Sequence, residues 1–182
     1  MPELKGIDYL RQKLAQKSSR VQMRYKYYNM TNALINYSKM IPKNFTWLRS
    51  VLGWCSMSVD RLADRIVFDS FQNDNFDIED IFNMNSRDIF FDSAVLSALI
   101  SSCCFASITT DETGYPRIQL IDGGNATGII DPITNLLSEG YAVLERDNQT
   151  HSPTLEAYYL PGETQIYAVG KKQPTVYKYT SP

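Results

Sequence analysis

Between residues 47 and 71 the chain reads WLRSVLGWCSMSVDRLADRIVFDSF, and its apolar positions Leu48, Val51, Leu52, Cys55, Val59, Leu62, Ala63 and Ile66 recur every three or four residues. That spacing predicts one long amphipathic helix with a single buried stripe, capped by Thr46 and running to about Ser70. Arg49, Ser56, Asp60, Arg61, Asp64 and Arg65 occupy the opposite face. Arg61 and Asp64 stand three residues apart there, a spacing at which an ion pair contributes about 0.2–0.5 kcal/mol. Gly53 falls inside the helix at a cost of about 1 kcal/mol relative to alanine, which the close approach of another backbone would explain.

Upstream, Leu4, Ile7, Leu10 and Leu14, followed by Val21, Met23, Tyr27 and Tyr28, predict one or two helices with Ser18-Ser19 as the break. Residues 32–40 extend the second until Pro42 ends it, because a proline drives the residue before it out of helical space. Downstream, Asp77 is placed to cap a short helix over 78–84, and Ser86 to cap the next. That next segment carries Ile89, Phe90, Phe91, Ala94, Val95, Leu96, Ala98, Leu99 and Ile100, apolar on nearly all sides, and so predicts a central buried helix.

From Cys103 the period changes to two. Residues 105–109 and 117–121 flank Thr110-Asp-Glu-Thr-Gly-Tyr115, a hairpin pattern with Gly114 available for positive φ. Residues 123–128, 141–147, 154–160, 164–169 and 174–182 continue as short strands and turns, predicting an antiparallel sheet of about five or six members. The fold class expected is therefore α+β: amino-terminal helices, one of them long and amphipathic, followed by an antiparallel sheet. By composition the chain divides into a basic helical arm over 1–45, a helical region over 46–104 and an antiparallel β region over 105–182.

At 182 residues and 43% hydrophobic content the chain can bury one sizeable core. Its formal net charge of −2 hides a polarity: residues 1–49 hold ten Lys or Arg against Glu3 and Asp8, leaving eight basic and eighteen acidic residues beyond. A basic arm with Tyr9, Tyr25, Tyr27, Tyr28 and Tyr37 has three readings: contact with phosphate and bases, a solvated amphipathic helix with tyrosines on its packing side, or docking on the acidic body of a neighbouring copy. The third is preferred to nucleic acid. Arg20, Arg24 and Lys26 are the candidate contacts to phosphate or to an acidic partner.

Candidate chemistry is sparse. Cys55, Cys103 and Cys104 are an odd set with two adjacent members, which reads as buried thiols in a reducing compartment. The single histidine, His151, falls in a loop pattern, so a zinc site has no ligand set. The glycines between 123 and 128 come without the lysine of a phosphate-binding loop. Glu79 with Asp80, and Asp88 with Asp92, read as helix-dipole and polar-stripe residues before they read as a magnesium site. The expectation is no catalysis, no cofactor and no metal. No run of about 18 apolar residues occurs and the amino terminus carries no charged-then-apolar leader, so neither a membrane span nor secretion is expected.

Residues 59–71, VDRLADRIVFDSF, resemble the passage VDxLAxRLxxxGF of portal proteins, the head-to-tail connectors of tailed double-stranded DNA bacteriophages. Arg24-Tyr-Lys-Tyr-Tyr28 is similar to that family's early YYxG stretch, and the turn Ile41-Pro-Lys-Asn-Phe45 precedes the long helix as it does there. Residues 78–85 and 91–108 match a helix pair leading into the first strand. Residues 111–118, DETGYPRI, resemble the family's DxxGxPxI hairpin, and Ile130-Asp-Pro-Ile-Thr134 its YDPxTG turn. Two departures stand out: residues 101–104, SSCC, occupy a place where glycine is common, and Asn135 replaces the turn glycine. Asparagine tolerates the left-handed conformation, so the turn is expected to survive.

The resemblance implies an amino-terminal wing region, ending before the stem and crown, of a subunit that closes into a dodecameric ring at one capsid vertex. It further implies a structural role in genome packaging, ejection and head–tail joining. The partners it implies are copies of the chain itself, the terminase motor, capsid and head–tail connector proteins, and the double-stranded DNA that passes through the ring. The location it implies is the virion, with host cytoplasm before assembly. Asp60, Arg61, Asp64 and Arg65 are then candidates for the subunit interface. Two alternatives stand beside it: a nucleic-acid-binding module using the basic arm, and a hydrolase with an acidic metal site.

Overall fold

The computed structural model describes residues 5–31, 53–72 and 77–178. The chain is α+β, with helices followed by antiparallel strands, as expected from the change of period at Cys103. It folds as two compact units, one made of Met1–Ser19 with Ile121–Pro182 and the other of Arg20–Leu120.

Helix α1 (Ile7–Tyr28) is continuous through Ser18 and Ser19, so of the one or two helices expected there it is one. The Ser18 hydroxyl donates to the Ala15 carbonyl at 3.2 Å, so it is satisfied inside the helix and does not compete for the backbone. The helix closes in a Schellman motif: Met30 takes a left-handed φ of 55°, its N–H donates to the Tyr27 carbonyl at 3.3 Å, and the Thr31 N–H donates to the Lys26 carbonyl at 2.9 Å. α1 therefore ends at Tyr28 and does not run on toward Met40. Residues 32–52, with the expected Pro42 stop and Thr46 cap, lie outside the described residues.

In the first unit, the amino-terminal half of α1 lies on a five-stranded meander of order β3-β4-β5-β6-β7, formed by β3 (Ala126–Ile130), β4 (Leu137–Arg146), β5 (Pro153–Leu160), β6 (Glu163–Ala168) and β7 (Thr175–Lys178). Leu10 and Leu14, one helical turn apart, are buried with Tyr141, Val143 and Tyr158, and this cluster is the unit's core. Gly128 on β3 sits opposite Gly140 on β4. A Cβ at Gly128 would meet the Leu137 side chain and stand 2.9 Å from the Glu139 carbonyl oxygen. The glycine run that superficially suggested a phosphate loop thus includes a strand position with no room for a side chain.

In the second unit, the long helix expected over 46–70 is observed as α2 (Trp54–Ala63), which stops well short of Ser70. Bonds from the Arg65 N–H to the Leu62 carbonyl (3.3 Å) and from the Ile66 N–H to the Ala63 carbonyl (2.9 Å) tighten its last turn. The backbone then leaves helical space through Ile66, Val67 and Phe68, a β-branched and aromatic run of low helix propensity. Phe68 stacks face to face on Phe91 with ring centroids 4.1 Å apart, a contact that fixes the departure. Gly53 starts the helix and is not inside it; among the described residues the group crowding it is the Met30 sulfur, 2.9 Å from where a Cβ would lie. None of the α2 side chains is fully buried, and Cys55, Leu62 and Ile66 from the expected stripe are exposed.

Helices α3 (Ile78–Met84) and α4 (Arg87–Ser101) match the expected spans, but their capping differs. Asp77 and Ser86 both take left-handed φ, 54° and 56°, and neither side chain bonds the first turn. α4 is less enclosed than its composition predicted, with only Ser97, Ile100 and Ser101 buried and Ile89 70% exposed. Its aromatic residues instead join Phe68, Phe71 and Phe82 in one ring cluster.

The hairpin of β1 (Cys104–Thr110) and β2 (Pro116–Asp122) forms as expected, with Gly114 at φ 86°, but it pairs as a separate two-stranded sheet. The Asp122–Asn125 turn divides the two sheets: Asp122 accepts from the Gly124 N–H at 2.5 Å and from the Asn125 N–H at 3.0 Å. Asn85, at the α3–α4 joint, fastens β2 by donating to the Pro116 carbonyl (3.0 Å) and accepting from the Ile118 N–H (3.0 Å).

Candidate functional site

The four residues expected at a subunit interface gather at the end of α2. Asp60 is half-buried and accepts a hydrogen bond from the Tyr28 hydroxyl at 2.7 Å. That bond, with burial second, raises the Tyr28 pKa above its ordinary value and keeps the phenol a donor. Arg61, Asp64 and Arg65 are exposed. The expected Arg61–Asp64 ion pair is not formed, although Asp64, the C-cap residue, keeps helical dihedrals. Arg20, Arg24 and Lys26 share the second half of α1; the Arg24 guanidinium bonds the Ser102 hydroxyl, while Arg20 and Lys26 are exposed.

Asp60 and Asp64 border a groove of about 510 Å³ within the Arg20–Leu120 unit, and α4 supplies the facing rim with Asp88 and Asp92. The floor is apolar, built from Phe68, Phe91 and Leu96. Asp88 is 3.2 Å from Arg87 Nε, and the Arg87 guanidinium covers the Phe68 ring at 5.8 Å. The pairing of α2 and α4 carboxylates across one groove was invisible from sequence, since the early end of α2 is what lets Phe68 reach Phe91 and brings the rims together. Among the described residues no group of three or more His, Cys, Asp or Glu is arranged to hold a metal ion.

A second polar cluster belongs to the other unit. Arg11 Nε donates to Glu156 at 3.1 Å and its Nη2 donates to the same oxygen, while the Tyr141 hydroxyl donates to the other oxygen of Glu156 at 2.5 Å. The Arg11 guanidinium also lies over the Tyr167 ring at 5.4 Å. Glu139 accepts from the Tyr158 hydroxyl and from the Gly6 N–H, both at 2.9 Å. Burial first, and the bond to Glu156 second, drive the Tyr141 pKa up; burial and Glu139 push Tyr158 up to about 12. Hydrogen bonding to Glu156 raises the Arg11 pKa. These bonds keep Arg11 and both phenols as donors, and the cluster fastens the helix to the sheet. Sequence inspection missed Arg11, Glu139 and Glu156, because the bonds that tie them to the helix, Arg11 to Glu156 and the Gly6 N–H to Glu139, span 145 and 133 residues of chain.

The remaining candidates are placed as follows. His151 is exposed in the Asp147–Ser152 loop, at a φ of 55°. Cys55 is exposed, contrary to the expectation of buried thiols, while Cys103 and Cys104 are half-buried. Burial raises the Cys104 pKa, with Cys103 adding to it. Among the described residues no helix is long and apolar enough to cross a membrane.

No protein-family model matches the chain, and no curated protein matches it.

Proposed function

We propose that this chain is a structural assembly subunit of the portal type, the amino-terminal wing region of a connector that forms a ring at the capsid vertex of a tailed double-stranded DNA phage. In this reading it performs no catalysis and serves genome packaging, ejection and head–tail joining. Its partners are copies of itself, the terminase motor, capsid and connector proteins, with DNA passing through the ring, and it resides in the virion after assembly in the host cytoplasm.

The observation that carries the reading is the turn between β3 and β4. Asn135, standing where the resembled pattern has glycine, adopts a φ of 56°, and its N–H donates to the Asp131 carbonyl at 2.8 Å. The Asp131 carboxylate accepts from the Ile133 N–H at 2.8 Å and the Thr134 hydroxyl from the Leu136 N–H at 3.3 Å, so the Asp and Thr of the Asp-Pro-x-Thr sequence both close the turn. This turn follows a helix pair and an Asp-x-x-Gly hairpin in the order that the resemblance leads one to expect.

Electron microscopy of the protein encoded by the complete reading frame containing these residues tests the proposal. Closed rings with rotational symmetry are expected, and Arg61→Glu with Arg65→Glu should impair their assembly while the monomer remains folded. Wild-type protein that forms no rings overturns the reading; intact rings from the double variant remove Arg61 and Arg65 from the interface.

A second reading, a nucleic-acid-binding module, is favoured by the exposure of Arg20 and Lys26 on one helix. It requires DNA affinity that falls steeply with salt and weakens when Arg20, Arg24 and Lys26 are neutralised. A gel shift showing no binding at low salt removes it.

A further inference from the structure

The Arg20–Leu120 unit carries two surfaces of opposite charge and matching polarity. One is the groove: its floor is aromatic and aliphatic, its rims are aspartates, and neither Arg61 nor Arg65 lines it. Beside the floor, Ile66 and Val67 are 45% and 78% exposed, so apolar surface continues outward from it. Asp64 and Asp92 are exposed and enter no ion pair among the described residues.

The other surface is the outer face of α1. Arg20, Met23 and Tyr27 follow one another at intervals of three and four, which stacks them along one side of the helix. Met23 and Tyr27 are about half exposed, at 52% and 48%. Arg24 flanks this stripe on one side and Lys26 on the other. The opposite side of the same helix is already engaged through buried Val21 and through Tyr28, whose hydroxyl bonds Asp60 at the groove's own rim. Successive residues are turned about 100° round a helix, so the side that meets the rim is Tyr28's, and the basic stripe is turned away from it. The stripe is thus a separate face from the one that already meets the rim of its own copy.

We propose that the outer face of α1 from one copy of this chain seats in the acidic groove of the next, with Met23 and Tyr27 on the apolar floor and Arg20 and Lys26 against Asp64 and Asp92. Apolar contact ringed by complementary charge is the composition of a protein interface. Because the two patches differ, the contact is head-to-tail and propagates until it closes a ring or grows as an open chain. The proposal deepens the structural-assembly reading and rests on it for the choice of a second copy as the occupant.

Charge exchange tests it. Asp64→Lys with Asp92→Lys puts lysines where the basic stripe would land, and Arg20→Glu with Lys26→Glu puts glutamates on the stripe that would meet Asp64 and Asp92; neither pair disturbs the Arg24–Ser102 bond or the Tyr28–Asp60 bond. Sedimentation of the 182-residue chain at low salt is expected to show self-association that weakens as salt rises. Each variant alone should associate at least about tenfold more weakly, with unchanged circular dichroism, and an equimolar mixture should recover association by alternation. Asp92→Asn, which removes one charge without reversing it, should fall between. A wild-type mass that stays at the monomer's 20.8 kDa at every concentration, variants that associate like wild type, or a mixture that recovers nothing would each overturn the proposal. Rings from the complete reading frame that persist in both variants would sink the groove and spare the assembly reading; charge-dependent open chains that never close would do the reverse.

Discussion

Arg11 on α1 and Glu156 on β5, 145 residues apart in sequence, meet through two guanidinium nitrogens on one carboxylate oxygen, while the nearer Asp8 takes only the exposed edge of the same guanidinium at 3.2 Å. The Glu156 side chain is 15% exposed and that of Asp8 is 91% exposed, so the two carboxylates share an arginine and differ in burial. Glu156→Gln is expected to destabilise the protein by about 1–2 kcal/mol, because a half-buried charged acceptor that also holds the Tyr141 hydroxyl is lost. Asp8→Asn should change stability by less than about 0.5 kcal/mol, as exposed pairs do. Urea denaturation of the two variants checks the contrast, and equal effects would show that the bond to Glu156 does not hold the helix on the sheet.

Leu10 and Ile89 invert what their surroundings in the sequence promised. Ile89 stands in a helix rich in apolar residues yet is 70% exposed, whereas Leu10, in a basic helix, is 0% exposed. Leu10→Ala should cost about 2–5 kcal/mol through lost burial and the cavity left behind, and Ile89→Ala should stay within about 0.5 kcal/mol. The comparison is read from denaturation midpoints, and a large loss at Ile89 would mean that α4 is covered there.

These two residues also mark how far the sequence is legible. Period and turn chemistry are local, so the spans of α3 and α4, the Asp111–Gly114 hairpin and the left-handed Asn135 could all be read from neighbours in the chain. Burial depends on partners, and the partners of Leu10 are Tyr141, Val143 and Tyr158, which no local pattern announces. The early end of α2 belongs to the same class: the apolar spacing continues to Ile66, but Phe68 finds Phe91, and tertiary stacking overrides the helical pattern. The groove followed from that override, so Asp60 and Asp64 were legible as a polar helix face while their opposition to Asp88 and Asp92 was not.

Gly128 faces a fixed obstacle where Gly53 faces a movable one. A Cβ at Gly128 would stand 2.9 Å from a backbone oxygen of the paired strand, which shifts only if the ladder shifts, whereas at Gly53 it would meet the end of the Met30 side chain. Gly128→Ala should therefore destabilise by about 1–3 kcal/mol through overpacking, and also disturb the carbonyl that accepts from Lys13 Nζ at 2.8 Å. Gly53→Ala should be better tolerated, since a methionine can move aside. Thermal melts of the two variants decide it; the reverse order would place the tight contact at the start of α2.

Cys55 and Cys104 separate by accessibility, and burial also raises the Cys104 thiol. Cys55 is exposed, and Cys104 is half-buried with a thiol pKa raised by burial. Since the thiolate is the reacting species, a neutral alkylating reagent near pH 7.5 should modify Cys55 first and Cys104 much more slowly. Peptide mass mapping over time gives the order, and modification of Cys104 at the rate of Cys55 would show that β1 opens readily.

Asp111, Asp131 and Asp147 each close a turn by accepting hydrogen bonds with an ionised carboxylate. Asp111 accepts from the Thr113 hydroxyl at 2.5 Å, the Thr113 N–H at 2.9 Å, the Tyr115 N–H at 3.0 Å and Arg117 Nε at 3.0 Å. These bonds, the Thr113 hydroxyl foremost, hold its pKa at about 2. The Ile133 N–H lowers Asp131, and the Gln149 N–H with the Thr150 hydroxyl lowers Asp147. A carboxylate whose folded pKa lies below its unfolded value of about 4 contributes stability that is fully present above that value and is lost as pH falls through the folded pKa. The denaturation midpoint should thus change little from these groups between about pH 7 and 5 and drop as pH falls from about 4 toward 2. Asp111→Asn keeps an oxygen to accept from Thr113 and Tyr115 but cannot titrate, so its acid limb should be shallower than that of wild type. Parallel acid limbs for the two proteins would mean that Asp111 ionises alike in the folded and unfolded chain, and the hairpin would then owe its closure to Gly114 and the backbone alone.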